Sequence, residues 1–307
     1  MPSAEEARRL LCDLGEHVRN LLREARGPAM SEVVGATAAD TIYAIDKVAD
    51  EYLIDWFDQH WQNVRVVSEG LDDPVIVGKD PEWTVIVDTI DGTRGLMYDK
   101  RAAWCLAGAA PLNGSLDDIQ AAAMTELPVV KQGRADQVSG TRGGGVVARR
   151  VDLSSGATEA LNPRPSPATD LEHGFSQVAK FLLPGKVELA SVEVALFDRL
   201  GCSVVFDDEY LSNGGQLFEL IMGRDRFVAD LRPLVVGPEA LASHPYDVCA
   251  SLLLTELGGK VTDPWGAPLD APLDTVTPVA WVGYANDHLA AWIGPVLAEI
   301  VNDFCAR

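Results

Sequence analysis

Two carboxylates three residues apart, followed at once by glycine and threonine, give this chain its strongest chemical signal: Asp88-Thr89-Ile90-Asp91-Gly92-Thr93. The run follows Trp83-Thr84-Val85-Ile86-Val87, an apolar, β-branched segment that reads as a buried strand. Carboxylates crowded where a buried strand ends repel each other unless a cation shares them. Gly92 lets the backbone turn tightly or approach a ligand closely, and Thr93 can cap or open the element that follows. Carboxylate and carbonyl oxygens are hard ligands suited to Mg²⁺ or Mn²⁺. The backbone N–H groups of Gly92 and Thr93, at an expected helix N-terminus, suit a phosphate. A hard-metal site beside an anion cradle is the chemistry these residues predict.

Two more acids join by position. Glu69 ends a strand expected at Val64–Ser68, and Asp247 opens a helix expected over 247–257, just after Pro245-Tyr246. Two divalent ions about 3.5–4 Å apart can activate water and stabilise the leaving oxygen of a phosphoryl group. Each acid also has a plainer reading: Asp88 and Asp91 as a solvated turn, Glu69 as a loop acid, Asp247 as a helix N-cap. Other acid and glycine runs carry less. Asp207-Asp208-Glu209 reads as an exposed acidic turn, and Gly143-Gly144-Gly145 as a flexible turn, because no lysine-serine pair follows. The five histidines show no ligand spacing.

The elements that must position these groups follow from periodicity and punctuation. Ser3 and Glu6 have capping-box spacing, and leucines at helical spacing predict a first helix, stopped by Gly27-Pro28. A second helix is expected after Thr37, with Ile42, Ile45, Ala49, Tyr52, Leu53 and Trp56 on one face. Strands are expected at 64–68, 75–77, 84–87, 103–110, 120–126 and 144–151. Residues 154–170, rich in Ser, Pro, Thr and Asn, read as a linker. Beyond it, helices are expected at 171–182, 215–222, 247–257 and 287–304, with Gly223 and Gly258-Gly259 as terminators. Strands are expected at 202–206, 226–229, 260–262 and 280–283. The order predicts an α/β (α+β) chain. A mostly antiparallel N-terminal part, 1–160, holds the metal and phosphate motif, and a smaller α/β part, 161–307, supplies Asp247 and substrate contacts.

Composition bounds the partners. The 307 residues are 47% hydrophobic, enough for a sizeable core. The formal charge of −21 argues against nucleic acid and anionic membranes, which need a basic face. A small phosphorylated substrate stays compatible, since a bound cation reverses the local sign. Five scattered cysteines without a CxxC fit free thiols in a reducing compartment. With a polar N-terminus and no apolar run long enough to span a bilayer, a cytoplasmic protein is expected.

Together these motifs resemble the inositol monophosphatase family of the magnesium-dependent, lithium-sensitive phosphomonoesterase superfamily. Asp88–Thr93 resembles the family's Asp-Pro-Ile-Asp-Gly-Thr motif, and Tyr246-Asp247-Val248-Cys249-Ala250-Ser251 with Gly258-Gly259 resembles its Trp-Asp-x-Ala-Ala-Gly…Gly-Gly signature. Val66-Val67-Ser68-Glu69 resembles Gly-Glu-Glu, and Tyr43-Ala44-Ile45-Asp46 resembles Thr-x-x-Asp. Val282-Gly283-Tyr284-Ala285-Asn286 resembles the late Ala-Ser-Asn strand end. The match covers roughly residues 37–110 and 210–300, in the same order throughout. Thr89, Gly70 and Tyr246 depart from the pattern, and none of them removes a ligand.

The resemblance implies a layered α-β-α-β-α sandwich and direct water attack on a phosphomonoester. Glu69, Asp88, the Ile90 carbonyl, Asp91 and Asp247 would hold two or three Mg²⁺ ions, with Mn²⁺ as the alternative. Glu69, Thr93 and Asp46 would position or activate water, while Asp91, Gly92 and Thr93 would meet the substrate. Phe227-Val228-Ala229-Asp230-Leu231-Arg232 resembles a segment of members that accept fructose 1,6-bisphosphate, with Asp230 toward sugar hydroxyls and Arg232 toward a second phosphate. The family's Gly-Ser-Ala-Ala segment corresponds either to Gly201-Cys202-Ser203 or to Ser212-Asn213-Gly214-Gly215. The implied substrate is an inositol monophosphate or a related polyol or sugar phosphate. The alternatives are fructose-1,6-bisphosphatase, a 3′-phosphonucleotide phosphatase, or a catalytically silent metal-binding regulatory relative. A homodimer is implied as well.

Overall fold

The computed structural model describes residues 2–25, 33–36, 41–208, 211–236 and 242–306, with backbone alone at 25, 33–36 and 41–51. Helix α1 (Ala4–Ala25) opens with a capping box. Ser3 N donates to Glu6 Oε2 at 2.7 Å, and Glu6 N donates to Ser3 Oγ at 3.2 Å. Leu11, Leu14, Val18 and Leu22 recur along one buried face. A short antiparallel pair, β1 (Val33–Ala36) and β2 (Thr41–Tyr43), precedes α2 (Ala44–His60). The second helix thus starts later than its apolar spacing predicted, and Ile42 belongs to a strand. Gly27-Pro28 lies outside the described residues.

The main sheet holds β3 (Val64–Ser68), β4 (Val75–Val77), β5 (Trp83–Asp91), β6 (Ala103–Pro111), β7 (Ala121–Leu127), β8 (Arg134–Thr141), β9 (Gly145–Asp152) and β10 (Thr158–Leu161). Their order is β10-β9-β8-β7-β6-β5-β3-β4, antiparallel throughout except where β3 runs parallel to β5. The short helix α3 (Thr93–Met97) separates β5 from β6. The second sheet has the order β11-β12-β14-β13, from β11 (Phe175–Val178), β12 (Asp225–Asp230), β13 (Lys260–Thr262) and β14 (Trp281–Tyr284). The remaining helices are α4 (Lys186–Arg199), α5 (Asn213–Ile221), α6 (Arg232–Val235), α7 (Leu252–Glu256) and α8 (Asp287–Cys305).

Alternation along β5 and β6 builds the layers. Val85, Val87, Cys105 and Ala107 face one apolar cluster with α1 and α2. Ile86, Trp104 and Leu106 face another, shared with α5, α7, the second sheet, α4 and α8. Helices α1 and α2 cover one face of the main sheet. Helices α5 and α7 lie between the sheets, and α4 and α8 cover the far face of the second. This is the layered α-β-α-β-α sandwich. Among the described residues no helix is long and apolar enough to cross a membrane.

Several expectations are corrected. Residues 171–182 are not helical. Phe175–Val178 forms an edge strand parallel to β12, and the helix comes later, at α4. Apolar spacing there mimicked a helix, and pairing with β12 decided otherwise. The expected strand at 202–206 is reduced to a single bridge, Phe206 to Phe175. The linker's first part is the edge strand β10. Strand β8 escaped notice because Asp136, Gln137 and Ser139 are buried polar residues that hide its alternation. The expected helix over 247–257 is broken into a 3₁₀ turn, Pro245–Val248, and α7.

Candidate functional site

The site begins with a defect in strand pairing. Strand β5 pairs with β6 in regular register to Asp88↔Leu106, and the next pair is Asp91↔Trp104. Three steps on β5 therefore match two on β6, which is a β-bulge. Side chains alternate along a strand, so residues three apart would face opposite sides. The extra residue restores the parity. Asp88 and Asp91 both face the layer between the sheets, opposite Leu106 and Trp104. The acids sit inside the strand's last residues rather than in a turn after it.

Gly92 then takes a left-handed conformation, φ 96°, and starts α3. A Cβ there would lie 3.1 Å from Ser212 Cβ and Oγ. Thr93 Oγ1 donates to the Ile90 carbonyl at 2.8 Å, and Ile90 N donates to Asp88 Oδ1 at 3.0 Å. From across the layer, the first turn of α5 meets Asp91: Gly214 N donates to Asp91 Oδ2 at 2.8 Å. A Cβ on Gly214 would stand 2.7 Å from that oxygen, so only glycine permits the approach.

Asp247 stands on the 3₁₀ turn after extended His244. Its Oδ2 accepts His244 N at 2.6 Å, and its Oδ1 accepts Asn213 Nδ2 at 3.2 Å. Oxygens of Asp88, Asp91 and Asp247 all lie within 4.8 Å of one another. Glu69 follows β3, whose Ser68 pairs with Val87, so it stands beside Asp88. It is exposed at the rim of a cavity of about 110 Å³ that Asp91 and Asp247 also line.

The electrostatics of this group are unfavourable by construction. Burial raises the Asp88 carboxyl well above its usual range, and the charges of Glu69, Asp91 and Asp247 raise it further. Burial raises Asp91 to about 6, against hydrogen bonds from Ser212, Gly214 and Asn213 and the charge of Arg232. Burial and then the charge of Asp91 raise Asp247 to about 7. A protein that crowds hard oxygen donors without enough positive charge has the donor set a small divalent cation requires. Asp88, Asp91 and Asp247 fit a small divalent cation, and Glu69 stands outside this group of oxygens, at the cavity rim.

The other expected site residues fall in different places. Gly92 lines the cavity, as do Arg94 and Arg232. Asp230 has no exposed surface, and its oxygens are engaged by Arg232 Nε at 2.8 and 3.0 Å and by Ser243 Oγ. It holds Arg232 from below instead of facing the cavity. The Arg232 guanidinium lies 4.6 Å from the Phe181 ring centroid. Asp46 lies on α2, and its side chain is outside the described residues. Of the two candidate segments for substrate contact, Leu211, Ser212 and Asn213 line the cavity, whereas residues 201–203 do not.

Sequence reasoning missed His244 and Phe181, which also line the cavity. The His-x-x-Asp spacing before Asp247 was a legible capping signal. The His244 ring stacks on Tyr246 at 5.3 Å, and burial lowers its pKa. Nothing in the sequence pointed to Phe181, which follows the strand read as a helix.

No family model and no curated protein matches the chain. Solved structures do. The extragenic suppressor protein SuhB from Bartonella henselae matches with TM-score 0.70 and 16% identity over 94% of this chain and 97% of its own. Fructose-1,6-bisphosphatase from Leishmania major matches with TM-score 0.66 and 12% identity over 97% and 94%. Inositol monophosphatase from Anabaena matches with TM-score 0.65 and 15% identity over 96% of both chains. The chain therefore has the fold that these three structures share.

Proposed function

We propose that this protein is a Mg²⁺-dependent phosphomonoesterase acting on a small polyol or sugar phosphate. The observation that carries the reading is the bulge in β5, which brings Asp88 and Asp91 to one face against Asp247. Asp88, Asp91, Asp247, Glu69 and the Ile90 carbonyl would hold the metal. When bound, Mg²⁺ supplies Lewis-acid stabilisation of phosphoryl charge and makes water acidic enough to attack.

The chain's own groups do the rest. Gly92 lets the backbone pass close to the cavity, and its N–H and that of Thr93 suit phosphate oxygens. The Thr93 hydroxyl fixes the Ile90 carbonyl. With Asp46 and Glu69, Thr93 is the proposed group that orients water. Ser212 and Gly214 hold Asp91 from α5.

An inositol monophosphate is the first substrate to test. A sugar bisphosphate is the second reading, favoured by Arg232: a guanidinium in the cavity wall, held by Asp230, suits a second anionic group. Phosphate release should be measured with Mg²⁺, Mn²⁺ or EDTA on inositol 1-phosphate, fructose 1,6-bisphosphate and a 3′-phosphonucleotide. Metal-dependent release from one of them is expected. Release from none, with thermal stabilisation by metal retained, would leave the silent regulatory relative as the reading.

A further inference from the structure

Asn213 is the first residue of α5 and is only 6% exposed. Its carboxamide oxygen takes the indole N–H of Trp281 at 3.0 Å and lies 3.2 Å from Ser243 Oγ. An indole nitrogen only donates, so the oxygen of Asn213 faces Trp281 and the NH₂ group faces away. An amide's orientation is ordinarily ambiguous, and here Trp281 settles it. The NH₂ group donates to Asp247 Oδ1 at 3.2 Å. Trp281 itself is fully buried on β14 and does not line the cavity.

With His244 N on Oδ2, both oxygens of Asp247 are held, and each keeps a lone pair for a cation. Asp247 needs this because it stands on a single 3₁₀ turn. The single Ser243 hydroxyl hydrogen goes to Asp230 Oδ2, and its Oγ accepts from Arg232 Nη2 at 3.2 Å, so the hydrogen that holds the Asn213 oxygen is the one on Trp281. Chemistry explains why an amide occupies this place. A lysine or arginine beside Asp247 would compete with a metal, and a fourth carboxylate would add repulsion. An apolar side chain would leave the Trp281 N–H unpaired in the core.

We propose that Asn213 is a positioning residue that fixes the Asp247 carboxylate for a divalent cation and ties it, through the Trp281 indole, to strand β14. The assignment rests on the metal-dependent reading above. The groups around a metal ligand typically contribute about 10–100-fold in metal affinity.

The test is calorimetric titration of the full chain with Mn²⁺, comparing wild type, Asn213→Leu, Trp281→Phe and the double variant. Asn213→Leu, which keeps the branched shape but none of the hydrogen bonds, should weaken Mn²⁺ roughly 10-fold or more. Trp281→Phe should weaken it less, and the double variant should be no weaker than Asn213→Leu, because Trp281 acts through the amide. Phosphate release by Asn213→Leu should recover at saturating Mn²⁺, which damage to the fold would not allow. Melting in EDTA checks that each variant folds. Should Asn213→Leu not fold, Trp281→Phe carries the test and must weaken Mn²⁺. Wild-type affinity in Asn213→Leu, or independent losses in the double variant, overturns the assignment alone. Wild-type protein that binds no Mn²⁺ overturns both the phosphatase reading and this one.

Discussion

Asp230 and Asp88 are both enclosed, with 0% and 2% of their surface exposed, yet their partners differ in kind. Asp230 takes the guanidinium of Arg232, the Arg232 N–H and the Ser243 hydroxyl, so its charge is matched inside the protein. Asp88 takes one backbone N–H and faces three more acids. The first arrangement is a buried ion pair, held by geometry. The second costs stability until something positive arrives. Burial alone therefore does not identify a site. The missing counter-charge does, and the two acids predict opposite responses to the same kind of change.

The largest effect should come from Asp91→Asn. Loss of a direct ligand should lower phosphate release by well over about 100-fold, beyond what loss of a surrounding group costs. In EDTA at pH 8, the same variant should be more stable than wild type by roughly 1–3 kcal/mol, since a carboxyl raised to about 6 is no longer forced to ionise. Arg232→Ala should do the reverse. It strands Asp230 as an unpaired buried charge and should cost about 3–5 kcal/mol in urea unfolding. Equal losses of stability in both variants would erase the distinction.

The contrast between these regions also decides what was legible in the sequence. The Asp88–Thr93 motif, Glu69 and Asp247 were visible because acids and a glycine placed at strand and helix ends are signals of residue type and local position. The bulge was invisible: the one-residue slip between Asp88 and Asp91 depends on where β6 pairs. The role of Asp230 was misread for a related reason. Its partner Ser243 is set by folding, and Asp-x-Arg looks the same whether the pair faces substrate or itself. Strand β11 was lost to helical spacing that its parallel pairing overrode, whereas α1 was recovered because its capping box and leucines are local signals.

A smaller effect separates the regions by pH. Asp91 and Asp247 titrate near 6 and 7 in the folded protein, against about 3.9 unfolded. The folded state therefore holds more protons between those values. The stability this contributes is complete below about pH 4 and is lost as pH rises through 6 to 7. In EDTA the melting temperature should fall across that window. With Mn²⁺ it should rise instead, because metal needs the ionised carboxylates. A profile that Mn²⁺ does not reverse would mean that these acids are not its ligands.

The smallest effect tests the joint between the strand and α5. Gly92→Ala puts a side chain at φ 96°, which costs about 1–2 kcal/mol. The new Cβ would also press on Ser212 at 3.1 Å, and the Ser212 hydroxyl both caps α5 at Gly215 N and bonds Asp91. Weaker Mn²⁺ binding should therefore accompany the loss of stability. Gly95→Ala, one turn along α3, is the control: its nearest neighbour would be Arg101 Cβ at an ordinary 3.6 Å. Alanine there should stabilise the helix by about 0.5–1 kcal/mol and leave Mn²⁺ affinity unchanged. If both alanines left affinity unchanged, the contact between Gly92 and Ser212 would be packing alone, and the coupling of α5 to the carboxylates would have to run through Gly214.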